Sequence, residues 1–257
     1  MPEQPMPEHT NADTYSVTAE FYDLMATPYW AQVDPLLPDL LAEVDTLAGP
    51  VVDIGAGTGL STMAVADALP DAEIIAVEPS GAMRAVLMSR LAARKDLRER
   101  ITVLPSGFLD AGLAGPCAAV VALGVLGHFD GLARARVWTA IADLLAPGAL
   151  AVVEVQQPGQ VVEVSERCYT RARAGALRYE GWSRALPVDD ESLIWRMTYR
   201  AYRDTELLRE HRTEHQVWPV PADRVVAEAA AAGLTARSAE VGPGLLCFGR
   251  PEVAHAY

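Results

Sequence analysis

The sequence predicts an α/β protein: a doubly wound, mainly parallel sheet with a helical cover at its N-terminal end and an antiparallel β insertion near its C-terminal end. Three observations carry this expectation. From Pro50 to Gln156 short β-branched runs alternate with helical patterns, a glycine-rich loop joins the first run to the helix after it, and past Gln157 the apolar spacing switches to period two. Alternation of strand and helix makes βαβ units, whose right-handed crossovers cover both faces of a parallel sheet.

Residues 1–12 combine proline, acidic and polar side chains and read as a disordered leader. Residues 13–48 form the helical cover, with apolar side chains at three- and four-residue spacing over Thr14 to Met25 and Tyr29 to Asp45. The core, 49–157, supplies strands VVDI (51–54), EIIAVE (73–78), ITVLP (101–105), CAAVVAL (117–123) and ALAVVEVQ (149–156). Helices run to Leu69, from Ser80 to Ala93 and from Ala133 to Leu145. In the insertion, 158–218, the stretches Leu177 to Leu186, Ser192 to Arg203 and Glu206 to Trp218 alternate in polarity and are joined by turn residues at 187–190 and 204–205. Leu193, Trp195, Met197 and Tyr199 fall on one face there, and Arg196, Thr198 and Arg200 on the other. Residues 219–257 return to the core with a helix from Pro221 to Ala232, a capping Gly233, and two strands, TARSAEV and GLLCFGR, that bring the main sheet to seven.

The 257 residues are 51% hydrophobic and 21% charged, enough to bury a sizeable core. Against 34 acidic residues stand 21 basic ones, of which only Lys95 is lysine, and the net charge is −13. Such a surface repels a phosphate backbone, so no nucleic-acid partner is expected. The longest apolar run, Cys117 to Gly127, is well short of the roughly 18 residues a membrane span needs, and no membrane partner is expected. The first residues lack the basic and apolar regions of a signal peptide, so a cytoplasmic location is expected. Cys117, Cys168 and Cys247 are odd in number and widely spaced, which indicates reduced packing residues and no metal site.

The chemistry concentrates in VVDIGAGTGLS, where a strand containing Asp53 runs into Gly55, Gly57 and Gly59 and then a helix. Alternate glycines let the backbone turn sharply and approach a ligand, and the helix offers free N–H groups. A nicotinamide or flavin fingerprint needs a further glycine where Leu60 stands, so that pattern fails. An acid two residues before G-x-G-x-G resembles motif I of the class I S-adenosylmethionine-dependent methyltransferases, and the expected layout, with its helical cover and β insertion, resembles that of members acting on natural products or amino sugars. EPSGAMRAVLMSRL resembles the family's next segment, in which Glu78 would accept from the ribose hydroxyls while Pro79, Ser80 and Met83 lie near ribose and adenine. PSGFLD places Gly107 and Phe108 at the adenine rim, without the acid the family often has at the position of Gly107. ALGVLGHF, with Leu123 and Gly124, and LLAPGALAVVEVQQP are similar to the fourth- and fifth-strand motifs. YSVTAEFYDLM resembles a helix that closes over the cofactor, with Tyr15 and Tyr22 as its aromatic candidates.

The resemblance implies a Rossmann-like core, S-adenosylmethionine as cofactor with S-adenosylhomocysteine as product, and transfer of a methyl group to O or N of a small-molecule acceptor in secondary metabolism. An alternative use of the same site is a cyclisation or rearrangement without methyl transfer. Nucleic-acid methylation is disfavoured by Leu123-Gly124-Val125-Leu126, which stands where a base-flipping tetrapeptide would. His128 is the expected base, and Tyr22, Trp30, His128 and Trp195 are the expected acceptor contacts. His211 and His215 read as the polar side of a hairpin, and Arg171, Arg173, Arg178, Arg184, Arg196 and Arg200 as a solvated face. The aromatic content of the insertion makes it the expected site of homodimer contact.

Overall fold

The computed structural model describes residues 13–237 and 241–252. The expected leader, the middle of TARSAEV and the last five residues lie outside them. Seven strands form the main sheet: β1 Val51–Ile54, β2 Ile74–Val77, β3 Ile101–Leu104, β4 Cys117–Ala122, β5 Leu145–Glu154, and, after the insertion described below, β10 Thr235–Ala236 and β11 Leu245–Gly249. Their order is β10-β11-β5-β4-β1-β2-β3. The first five are mutually parallel, whereas β11 runs antiparallel to β5 and β10 antiparallel to β11. This is a Rossmann-like arrangement in which the direction of winding reverses between β1 and β4, and a crevice opens there at the carboxyl ends of the strands.

Helices α3 Leu60–Ala68, α4 Gly81–Ala93, α5 Gly131–Leu144 and α6 Ala222–Ala231 cover the sheet. One face buries Trp138, Ile141, Val225 and Phe248, and the other Leu37, Val65, Leu87 and Leu97. Arg134 ties α5 to α6 with two hydrogen bonds to Glu228, Nε to Oε2 at 2.7 Å and Nη2 to Oε1 at 2.9 Å. Both partners are largely withdrawn from water, which makes this pair sensitive to loss of either member.

The cover differs from expectation. In place of two helices meeting near Pro28, a single helix, α1 Thr18–Val33, runs through that proline, followed by a 3-10 turn and the short α2 Leu37–Leu40. A proline inside a helix removes one donor, yet Phe21, Met25 and Val33 stay buried on both sides of it, so tertiary packing overrides the local break. Asp23 of α1 accepts from Thr58 Oγ1 at 2.6 Å and pairs with Arg90 of α4, whose Nε also donates to Thr58 O at 2.9 Å.

The insertion is a separate antiparallel sheet of four strands, β6 Val164–Ala174, β7 Leu177–Pro187, β8 Leu193–Arg203 and β9 Glu206–Val217, in sequential order. Strand β6 was not anticipated. α1 bridges the two sheets: Phe21 stacks on Tyr199 with ring centroids 5.0 Å apart, and Thr170 Oγ1 donates to Met25 O at 3.3 Å. The other face carries ion pairs, among them Arg171 and Arg178 with Glu180, Arg196 with Glu214 and Arg200 with Glu210. Trp195 and Tyr199, two of the insertion's aromatic residues, face the cavity, and Tyr199 packs on Phe21. Among the described residues no helix is long and apolar enough to cross a membrane, and no cluster of side chains suits a metal ion.

Candidate active site at the switch point

A cavity of about 1050 Å³ lies over the switch point, walled by the loops after β1 to β5, by α1 and by the inner face of the insertion sheet. Its floor is the glycine loop. The N–H groups of Gly55 and Ala56 donate to Val77 O at 2.8 and 3.1 Å, folding the loop back against β2. Gly57 has φ +56°, and a Cβ there would meet nothing closer than Gly55 O at 3.9 Å, so its missing side chain leaves open space over the loop. Gly59, at φ +90°, serves packing, because a Cβ would strike Leu87 Cδ1 of α4 at 2.4 Å.

Glu78, 6% exposed at the end of β2, joins two loops. Its Oε2 accepts from Gly57 N–H at 2.8 Å and its Oε1 from Ser80 N–H at 2.7 Å. Burial raises its carboxyl above the usual range, and the two backbone donors work against that rise. Each oxygen retains acceptor capacity on the cavity side, as recognition of a vicinal diol requires. Ser80 caps α4 by accepting from Met83 N–H at 3.1 Å and donates to Asp13 Oδ2 at 2.8 Å. Asp13 also accepts from Ala82 N–H at 3.1 Å and Tyr15 N–H at 3.0 Å, so it fastens the segment before α1 to the start of α4. Pro79, Met83, Gly107 and Phe108 complete this end of the cavity.

Three expected site residues lie elsewhere. Asp53 is fully buried beneath the loop, where Oδ2 accepts from Ser61 Oγ at 2.7 Å and Thr62 Oγ1 at 2.6 Å, while Oδ1 has no hydrogen-bond partner. Burial pushes its carboxyl up to about 6 despite those hydroxyls, and the Glu78 charge adds to the rise. Its position fits a support that anchors α3 under the loop. Gly59 packs as described. Trp30 turns away from the cavity, its ring edge-on to Tyr29 and set against the Val33 and Leu37 cluster.

Tyr15, Tyr22, Leu123, Gly124, His128 and Trp195 all line the cavity. Tyr15 Oη and His128 Nε2 are 3.0 Å apart. Burial, helped by His215, lowers His128 to about 4, so the imidazole is neutral at pH 7. His215 is a correction: it stacks on Tyr15 with centroids 4.6 Å apart and lines the cavity. The pairing of Trp195 with His215 and of Tyr199 with His211 puts these histidines on the aromatic face. Sequence reasoning also gave no role to Asp13, Tyr29, Glu154 or Tyr169, all of which line the cavity. The one available signal was the acid of the fifth-strand motif, Glu154, quoted there without a function.

The open floor at Gly57, the bridging Glu78 and the helix starts at Leu60 and Gly81 fit an adenosyl amino acid laid across β1 and β2. Residues 52–151 match the family model described as a methyltransferase domain. Over those residues the chain is similar to that domain. S-adenosylmethionine is the methyl donor of such domains. No curated protein matches the sequence. Among solved structures, the chain is similar to the sugar N-methyltransferase KedS8 from Streptoalloteichus, with 21% identity, TM-score 0.71, and 98% and 99% of the two chains covered. It is also similar to DesVI of Streptomyces venezuelae, at 21% identity and TM-score 0.72 over 95% of this chain and 100% of that one. A third is CalS10, an amino pentose methyltransferase of calicheamicin biosynthesis from Micromonospora echinaspora, at 18% identity and TM-score 0.66 over 97% and 100%. These likenesses extend the fold match beyond the domain to the cover and the insertion.

Proposed function

We propose that this protein transfers a methyl group from S-adenosylmethionine to a nitrogen or oxygen atom of a small natural-product acceptor. The observation that carries the reading is Glu78, a nearly buried carboxylate that bonds to the N–H groups of both donor loops and keeps acceptor capacity toward the cavity. When bound, the donor supplies an electrophilic methyl on a sulfonium that becomes neutral as the methyl leaves. The chain's own part is positioning and exclusion of water. Gly57 leaves room for the donor and Glu78 orients it, while Tyr15 and the aromatic sheet face close the cavity. Neutral His128, held by the Tyr15 hydroxyl, is placed to accept a proton from the acceptor.

Thermal unfolding with S-adenosylhomocysteine, S-adenosylmethionine and NAD in parallel tests this. Ligand at about 100 times its Kd stabilises by roughly 2.7 kcal/mol, a shift of several degrees for a chain of this length. The two S-adenosyl compounds should produce it and NAD should not. No shift with either S-adenosyl compound overturns the reading.

A further inference from the structure

The residues that fit the donor follow β1, β2 and β3, on one side of the switch point. On the other side, past β4, strand β5 ends in Glu154. Glu154 is 8% exposed and lines the cavity. It lies against the backbone of Gly124, where a Cβ would come within 3.8 Å of its Oε2. Its other neighbour is Tyr29, whose buried hydroxyl faces the carboxylate and supports its charge, short of a well-formed hydrogen bond. Burial, and then the Glu154 charge, push the Tyr29 phenol far above its usual range, and burial raises the Glu154 carboxyl as well. No described cation pairs with Glu154.

The rest of the cavity has the same sign. Its charged lining residues are Asp13, Glu78, Asp110 and Glu154, with no arginine or lysine, and every arginine and lysine of the chain lies among the described residues. Asp13 and Glu78 are each engaged by two backbone N–H groups, whereas Glu154 has beside it only the Gly124 N–H and the Tyr29 hydroxyl, and no counter-ion. A buried carboxylate without a counter-ion is costly, and a ligand that brings a charged N–H donor removes the cost by forming a short, charge-assisted hydrogen bond.

We propose that Glu154, aided by the Tyr29 hydroxyl, is the subsite for a protonatable amine on the acceptor, which binds as the ammonium, gives one proton to His128 and then attacks the methyl with its freed lone pair as the S–CH3 bond breaks. This rests on the methyl-transfer reading and narrows it to N-methylation. Trp195 and Met197, on the facing sheet, supply an apolar wall for the body of such a molecule.

The test needs no knowledge of the acceptor. S-adenosylhomocysteine and sinefungin differ at the reacting position, where sinefungin carries a primary amine, and the readout is the ratio of their Kd values by isothermal titration calorimetry. Wild type should bind sinefungin on the order of tenfold tighter, the effect of one charged hydrogen bond. Glu154→Gln should bring the two within about twofold and Tyr29→Phe should shrink the ratio by about threefold, both neutral hydrogen-bond effects. No preference in wild type overturns the proposal, as does an undiminished preference in Glu154→Gln. If that variant binds neither analogue, Tyr29→Phe decides, and an unchanged ratio there overturns the proposal. Failure of wild type to bind either compound is a separate result, which refutes the donor reading itself.

Discussion

Replacing Asp53 by asparagine should change how stability depends on pH. Burial pushes the native carboxyl up to about 6 from its ordinary value of 3.8, because it opposes the charge more than the Ser61 and Thr62 hydroxyls support it. Above pH 6 the native state therefore holds a charge it disfavours, at a cost of about 3 kcal/mol for a gap of about two pH units. As pH falls through 6 the native state takes up the proton before the unfolded state does, so stability rises, and roughly half the cost remains at pH 5. Asparagine has no such dependence. It can still accept from both hydroxyls, but it sets an amide nitrogen where Oδ1 now has no partner, a fixed cost of about 1–3 kcal/mol. The sign at any single pH is thus not diagnostic, whereas the trend is. Urea denaturation of both proteins at pH 5, 6, 7 and 8 should give a difference that moves toward the variant by on the order of 1–2 kcal/mol from pH 5 to pH 8. Carboxyls that do not interact with Asp53, such as Glu154, are common to both proteins and cancel, and the smaller charge coupling to Glu78 acts in the same direction as the main effect. Parallel stability curves would refute the assignment of a buried, partly unsatisfied carboxylate beneath the loop.

Gly57→Val should abolish S-adenosylhomocysteine binding in calorimetry, since the side chain enters the open space over the loop at a φ that suits glycine; retained affinity would sink the placement of the donor. Glu78→Ala should weaken the same binding by roughly 1.5–3 kcal/mol, the value of a hydrogen bond to a charged group, and an unchanged Kd would count against the diol contact. Arg134→Met should lower stability, by less than the roughly 3–5 kcal/mol of a fully orphaned charge, because Glu228 keeps only the more exposed Arg224, 3.1 Å away, as a partner; a denaturation midpoint equal to wild type would show the pair to be dispensable. In an NMR titration the His128 imidazole should stay neutral down to about pH 4. A midpoint near the ordinary histidine value would remove the neutral base from the mechanism.

The order of the core strands was legible because each reads as a short β-branched run, and the turn after β1 because few backbones demand three alternate glycines. The cover was misread at Pro28, where local propensity favours a break and the buried Phe21 and Met25 hold one continuous helix. Strand β6 escaped notice because it is an edge strand whose sequence, VSERCYTRARA, is mostly polar and exposed. His215 was misplaced for a different reason. Alternation tells which residues share a face, but which face is covered depends on cross-strand register, here Trp195 opposite His215. Asp53 and Gly59 belong to the motif that a ligand requires, yet one anchors the loop from below and the other admits Leu87, roles that spacing alone does not separate from contact. Glu154 stood in plain view in the sequence, but its importance comes from the absence of any cation around it, which only the assembled cavity reveals.

The helix that bridges the two sheets has a consequence for how this protein can change. On the proposed reading the donor is received by residues 55 to 108 and the acceptor wall is built largely from 154 to 220, so the two ligands are read by separate stretches of chain. They meet through α1, which grips Arg90 and the glycine loop with Asp23 and the insertion sheet with Phe21. Substitutions along the inner face of that sheet can therefore redirect the choice of acceptor while leaving the donor loops untouched, whereas a shift of α1 alters both at once. Tolerance to mutation should accordingly be high at Trp195 and Met197 and low along the buried stripe of one sixteen-residue rod.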